Sequence, residues 1–147
     1  MRRITLLLST LAFANAALAD EAPAPTLSIL PAGEAELADF EWQSRLVVVF
    51  GDGEDDPRFQ TQIELLQANA PELIDRDVIV LTDTDPKGES ELRLKLRPRG
   101  FMLVLIGKDG GVKLRKPFPW KVRELTRVID KTVLRQREVR DRRDSES

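Results

Sequence analysis

A chain of 147 residues is long enough for one domain with a buried core, and its 41% apolar and 33% charged residues fit a globular protein with a heavily charged surface. It contains no cysteine and no histidine. Disulfides, thiol catalysis, zinc–thiolate sites and imidazole general bases are therefore excluded together.

Residues 1–19 have the make-up of a signal peptide. Arg2 and Arg3 give a positive start, "ITLLLSTLAFA" an apolar run too short for a comfortable membrane span, and "ALAD" a small-x-small cleavage site after Ala19. Cleavage there would leave 128 residues, exported to a periplasm or beyond, with no transmembrane segment remaining. Charge is divided along that remainder: residues 20–91 hold 18 acids and 4 bases, whereas residues 92–147 hold 7 acids and 17 bases. Either the two halves present separate faces to different partners, or they pack together and pair their charges.

The leader 20–33, "DEAPAPTLSILPAG", is rich in Pro and Ala and reads as flexible until it settles near Leu27 to Leu30. A short helix is expected within 34–43, with Phe40 and Trp42 as packing anchors. "RLVVVFG" (45–51) is the continuous apolar pattern of a strand buried on both faces. Phe59, Ile63, Leu66 and Ala70 recur at helical spacing and predict an amphipathic helix over 57–70. "DVIVLTD" (77–83) is a second buried strand. Residues 89–98 predict a short helix with Leu92 and Leu96 on one face, ended by Pro98. "FMLVLIG" (101–107) is a third strand, "KDGG" a hairpin turn, and "VKLRK" (112–116) an edge strand. Phe118 and Trp120 are expected against that edge strand. Pro119 can open a last helix whose apolar face is Val122, Leu125, Val128 and Ile129. From Arg135 only Val139 is apolar, so 135–147 reads as a charged helical extension fraying into a disordered tail.

Two buried strands joined by a helix are parallel and right-handed, and the hairpin fixes the fourth strand beside the third. The sequence thus predicts an α/β domain over 34–134: a four-stranded mixed sheet, ordered second, first, third, fourth, with helices on both faces. This order is that of the thioredoxin-like fold. "VVVFGDGEDDPRF" resembles the thioredoxin strand that runs into the active-site turn, with Asp55, Asp56, Pro57 and Arg58 in place of Cys-Gly-Pro-Cys. "RGFMLVLIGKDGGV" resembles the later strand and its hairpin, with Met102 near the position of the cis-proline. The signature "LIGKDGGVKLR" at 105–115 is similar to that of an uncharacterised family of exported bacterial proteins. That family is in turn similar to the repeated domain of the extracellular proteins equarin and the sushi-repeat group. The resemblance spans about residues 37–140 and implies a fold and a periplasmic or secreted location. It implies no activity.

The acidic turn has a structural reading. A helix N-terminus leaves N–H groups unpaired; Asp55 or Asp56 can cap them, with Pro57 at the first helical position. The same edge has functional readings. Asp52, Glu54, Asp55, Asp56, Asp83 and Asp85 supply the oxygens Ca²⁺ requires. Against an EF-hand register, Pro57 and Ile63 stand where Gly and Glu belong. Arg97, Arg99, Arg115 and Lys116 are expected to approach these acids and keep them ionised. Asp55, Arg58, Arg99, Gly100 and Met102 are the candidate binding residues, bordering the groove where thioredoxin-like folds receive extended peptides. The basic stretch from Arg135 is a candidate contact for an anionic surface. No catalytic residue and no cofactor is assigned, and nucleic acid is not an expected partner after export. The expected role is a redox-inactive binding or structural module for a protein or peptide. The alternative is a metal- or carboxylate-dependent enzyme using 52–56 and 83–85.

Overall fold

The computed structural model describes residues 22–147. The expected signal segment 1–19 lies outside the described residues. Five strands form one sheet: β1 (Ile29–Pro31), β2 (Arg45–Phe50), β3 (Val78–Asp83), β4 (Met102–Ile106) and β5 (Val112–Lys116), in the order β1-β3-β2-β4-β5. The last four follow the order expected from sequence. The additional strand corrects the count of four. Ile29–Pro31 pairs parallel with Val80–Thr82, and Leu27 and Ala32 are buried on either side of it. The end of the 20–33 leader is therefore an edge strand, short and closed by a proline, as edges commonly are.

β1, β3 and β2 run parallel; β4 is antiparallel to β2, and β5 to β4. Val47, Val48, Val49 and Phe50 are fully buried at the centre. The strands' period of two divides the core into two clusters. On one face Val47, Val49, Val80, Leu103 and Leu105 meet Leu66 of α1 (Pro57–Ala68), Leu73 of α2 (Ala70–Ile74) and Leu125 and Ile129 of α4 (Val122–Asp130). On the other, Leu46, Val48, Phe50, Leu81, Val104 and Ile106 meet Leu92 and Leu96 of α3 (Glu91–Leu96), together with Ala32. The β4–β5 hairpin turns at Gly110, whose φ of +78° is open to glycine and strained for other residues.

Four local expectations change. Residues 34–43 hold a 3₁₀ turn, Leu37–Phe40; Phe40 packs on the second cluster, but Trp42 is 68% exposed at a φ of +62°. Phe118 is likewise exposed, while Trp120 packs on the first cluster with the Lys116 ammonium 4.7 Å from its ring centre. Pro119 precedes the helix, which begins at Val122. The extension from Arg135 is no frayed tail: α5 (Val133–Glu146) is continuous, and Arg135 is only 4% exposed. The Thr132 hydroxyl accepts from the Arg135 N–H, restarting a helix after the break at Lys131 and Thr132.

Candidate functional site

The sheet has two ends. At one lie the C-termini of β2 and β3 and the start of β4, with Phe50 opposite both Asp83 and Met102. At the other lie Arg45, Val78, Ile106 and the β4–β5 hairpin.

The first end holds the acidic turn. Asp56 is the N-cap of α1: its Oδ1 accepts the Arg58 N–H at 3.0 Å, and its Oδ2 accepts the Asp52 N–H at 3.3 Å. Pro57 occupies the first helical position, where no N–H is needed. The Arg58 guanidinium then reaches back to Asp56 at 3.3 Å and to Asp52 at 3.4 Å. Burial pushes the Asp56 carboxyl up, but the hydrogen bonds from Arg58 and the Asp52 N–H outweigh it and hold the group below its usual range. Asp83 is held in the same sense. Burial raises it, and Arg93 at 2.9 Å, the Ser90 hydroxyl and the Asp85 N–H more than offset that. Ser90 in turn caps α3 by accepting the Arg93 N–H.

The cations expected here are not the ones found. Arg58 and Arg93, each close in sequence to its acid, make the ion pairs. Arg115 instead donates to the Leu96 carbonyl at 2.6 Å and lies 4.0 Å from the Met102 sulfur. Among the described residues, Arg97, Arg99 and Lys116 pair with no carboxylate, and no three acids gather in a way that could hold a metal ion. Glu54 and Asp55 are exposed, and Asp85 accepts the Lys87 N–H within its own turn.

Of the five candidate groove residues, the fold brings two together. A Cβ on Gly100, whose φ is +67°, would sit 3.7 Å from the Arg58 guanidinium and 3.6 Å from Asp52. Arg58 also lies 5.8 Å from the Phe101 ring centre. The space beside Gly100 is thus bordered by Arg58 and its acids. Met102 is separated from them by the pleat of β4: Phe101 faces the α1 side, and Met102 packs with the other cluster. Asp55 and Arg99 are exposed.

The far end carries features invisible in the sequence. Arg45, with its side chain 3% exposed, donates to Glu138 of α5 at 3.1 Å and to the Arg76 carbonyl at 2.9 Å. Lys108 reaches the same Glu138 at 2.8 Å and Asp77 at 2.8 Å. Arg135 pairs with Asp75 at 2.6 Å, and Arg76 with Asp130 at 2.9 Å. Burial raises the Glu138 carboxyl, and Lys108 and Arg45 outweigh it, leaving it below the usual range.

Beside this network a cavity of about 520 Å³ opens between the hairpin and the α4–α5 corner, with Trp42, Leu105, Ile129 and Val133 among its walls. Sequence reasoning missed it. Its parts come from five elements and the loops between them, and none of Trp42, Lys131, Val133 or Arg137 stands in a recognisable motif. Buried Gln62 was missed too: it exchanges two hydrogen bonds with the Trp120 backbone, at 2.8 and 3.0 Å, from what reads as the polar face of α1.

Thirty-one solved chains match this fold. Chloroplastic thioredoxin z is 20% identical with a TM-score of 0.56, covering 75% of this chain and 96% of its own. Reduced desulfothioredoxin from Desulfovibrio vulgaris Hildenborough is 22% identical with a TM-score of 0.54, covering 74% of this chain and all of its own, 100%. At that identity the likeness establishes the fold alone. No curated protein sequence matches. Residues 36–138 match the family described as a domain of unknown function, DUF4174. The match takes in the sheet from β2 to β5 and the first turns of α5, so this chain is a thioredoxin-like member of the DUF4174 family.

Proposed function

We propose that this protein is an exported, thiol-free thioredoxin-like module that acts by binding and not by catalysis. One observation carries the reading. At the turn corresponding to the thioredoxin Cys-Gly-Pro-Cys, Asp56 is fully engaged as a helix cap and as the partner of Arg58, while the far end of the sheet keeps an open, largely apolar cavity. An acid whose lone pairs are filled and whose pKa is lowered is a poor proton donor or base near neutral pH. A concave apolar surface with a few polar groups is the usual form of a small-ligand site. Export is supported by the signal-like segment ending at Ala19, and a periplasmic or secreted location by the resemblance to exported bacterial proteins and the equarin and sushi-repeat domains.

The test is native purification followed by denaturation and mass spectrometry of what is released. The reading expects a small molecule or peptide at about one per chain, and a mature N-terminus at Asp20. It is overturned if the protein comes off empty and a hydrolase panel finds turnover that Asp52→Asn or Asp55→Asn removes.

A further inference from the structure

The geometry points to a site for a free, single-chain carboxylate amphiphile, chemically a medium-chain fatty acid, in the cavity between the hairpin and the α4–α5 corner. This rests on the reading of the protein as a binder and names the ligand class.

The cavity floor is formed by Leu105 of β4 and Ile129 of α4, both about 1% exposed as residues. Its mouth is flanked by Trp42, 68% exposed, and Val133, 66% exposed. Two large apolar side chains at one opening, above an apolar floor, are a surface that the fold itself leaves uncovered. Trp42 is also held in a costly conformation. Its φ of +62° is unusual for a bulky residue, and its N–H is fixed to the Lys108 carbonyl at 2.7 Å. The backbone therefore presents the indole at the mouth at some energetic expense.

Charge selects the head group. Arg45, Lys108 and Lys113 line the cavity but already have acids, in Glu138, Asp77 and Asp109. Lys131 and Arg137 also line it, and among the described residues neither is ion-paired. Five cations and one carboxylate, Asp109, thus surround an apolar interior. An anion meets two unengaged partners there, whereas a cation meets a carboxylate already held by Lys113 at 2.8 Å. The volume, about 520 Å³, falls within the roughly 300–1,000 Å³ of small-ligand sites and suits one chain better than a diacyl lipid. The head group would sit between Lys131 and Arg137, and the chain would run past Val133 and Trp42 towards Ile129 and Leu105.

The full chain with Trp120→Phe retains Trp42 as its one tryptophan, so its fluorescence reports on this mouth. The probes are decanoate, decanol and decyltrimethylammonium, all below their micelle concentrations, and phosphatidylglycerol vesicles. Decanoate is expected to change Trp42 emission saturably, to raise the melting temperature, and to bind about tenfold tighter than decanol, a preference of about 1.4 kcal/mol. The double variant Lys131→Gln, Arg137→Gln should remove that preference, and Val133→Glu should abolish binding. All three positions are exposed, so the melting temperature without probe reports whether each variant is intact. Equal binding of the three probes, decanoate binding that survives both variants, or binding to vesicles without binding to decanoate overturns the proposal. Native release of a ligand from another chemical class would sink this inference and leave the binding-module reading standing.

Discussion

The two ends of the sheet solve the same electrostatic problem at different ranges. At the acidic turn, Arg58 pairs with Asp56 two residues away and Asp52 six away, and Arg93 with Asp83 ten away. At the far end Arg45 meets Glu138 across 93 residues, Arg135 meets Asp75 across 60, and Arg76 meets Asp130 across 54. The first set fixes how strands turn into helices. The second ties both the end of α4 and α5 itself, a helix almost without an apolar face, to the rest of the domain. The separation of an acidic half from a basic half is thus resolved in part by pairing: Asp75 of the acidic half is reached by Arg135 and Arg142, and Asp77 by Lys108.

The contrast predicts unequal responses to mutation. Glu138→Ala removes the carboxylate shared by Arg45 and Lys108 and leaves a buried guanidinium uncompensated. Breaking such a pair costs about 3–5 kcal/mol, and the lower figure is expected because Arg45 keeps its bond to the Arg76 carbonyl. A denaturation midpoint shift worth less than about 1 kcal/mol would mean that α5 is held by something else.

Asp56→Ala should lower stability by about 1–2 kcal/mol through loss of the cap. Asp55→Ala should stay within about 0.5 kcal/mol, because that side chain is exposed and caps nothing. Equal melting of the two variants would remove the cap assignment.

Acid titration should sharpen the comparison further. Glu138, Asp56 and Asp83 are depressed in the folded state from ordinary values of 4.5, 3.8 and 3.8. Their stabilisation is fully present above those ordinary values and is lost as pH falls through the lower folded ones. Melting temperature should therefore be level near neutrality and fall below about pH 4.5, with Glu138→Gln and Asp56→Asn flattening the acid limb. The sequence has no histidine, so a step between about pH 5.5 and 7.5 would contradict this account.

The smallest effect belongs to Asp52, whose exposed side chain pairs with Arg58 at 3.4 Å. Asp52→Ala should change stability by less than about 1 kcal/mol, and less still at high salt. A larger loss would show that the Arg58 bridge beside Gly100 is structural.

Much of the fold was legible because its signals are local. Apolar runs marked β2, β3 and β4, Asp-Gly marked the hairpin, and Asp56-Pro57 marked the start of α1. β1 was hidden because three residues around a proline carry too little periodicity to register. Trp42 was misread because a backbone held at positive φ overrides the tendency of a tryptophan to bury. The candidate groove was drawn too wide. Alternation along β4 puts Phe101 and Met102 on opposite faces, although they are neighbours in the chain.

The sequence by itself determined that the chain has no thiol or imidazole chemistry, that its sheet is strung in thioredoxin-like order, and that the acidic turn can cap a helix. The first and last follow from residue identity and short spacing, and the sheet order from the handedness of strand–helix–strand units and the Asp-Gly hairpin. Only the tertiary structure decided that α5 is anchored, that Arg45 and Arg135 are buried cations, and that a cavity opens at the hairpin end. Those depend on pairs and walls drawn from segments 31 to 93 residues apart, as between Asp77 and Lys108 or Arg45 and Glu138. Such juxtapositions come from chain packing and leave no periodic trace in the order of residues.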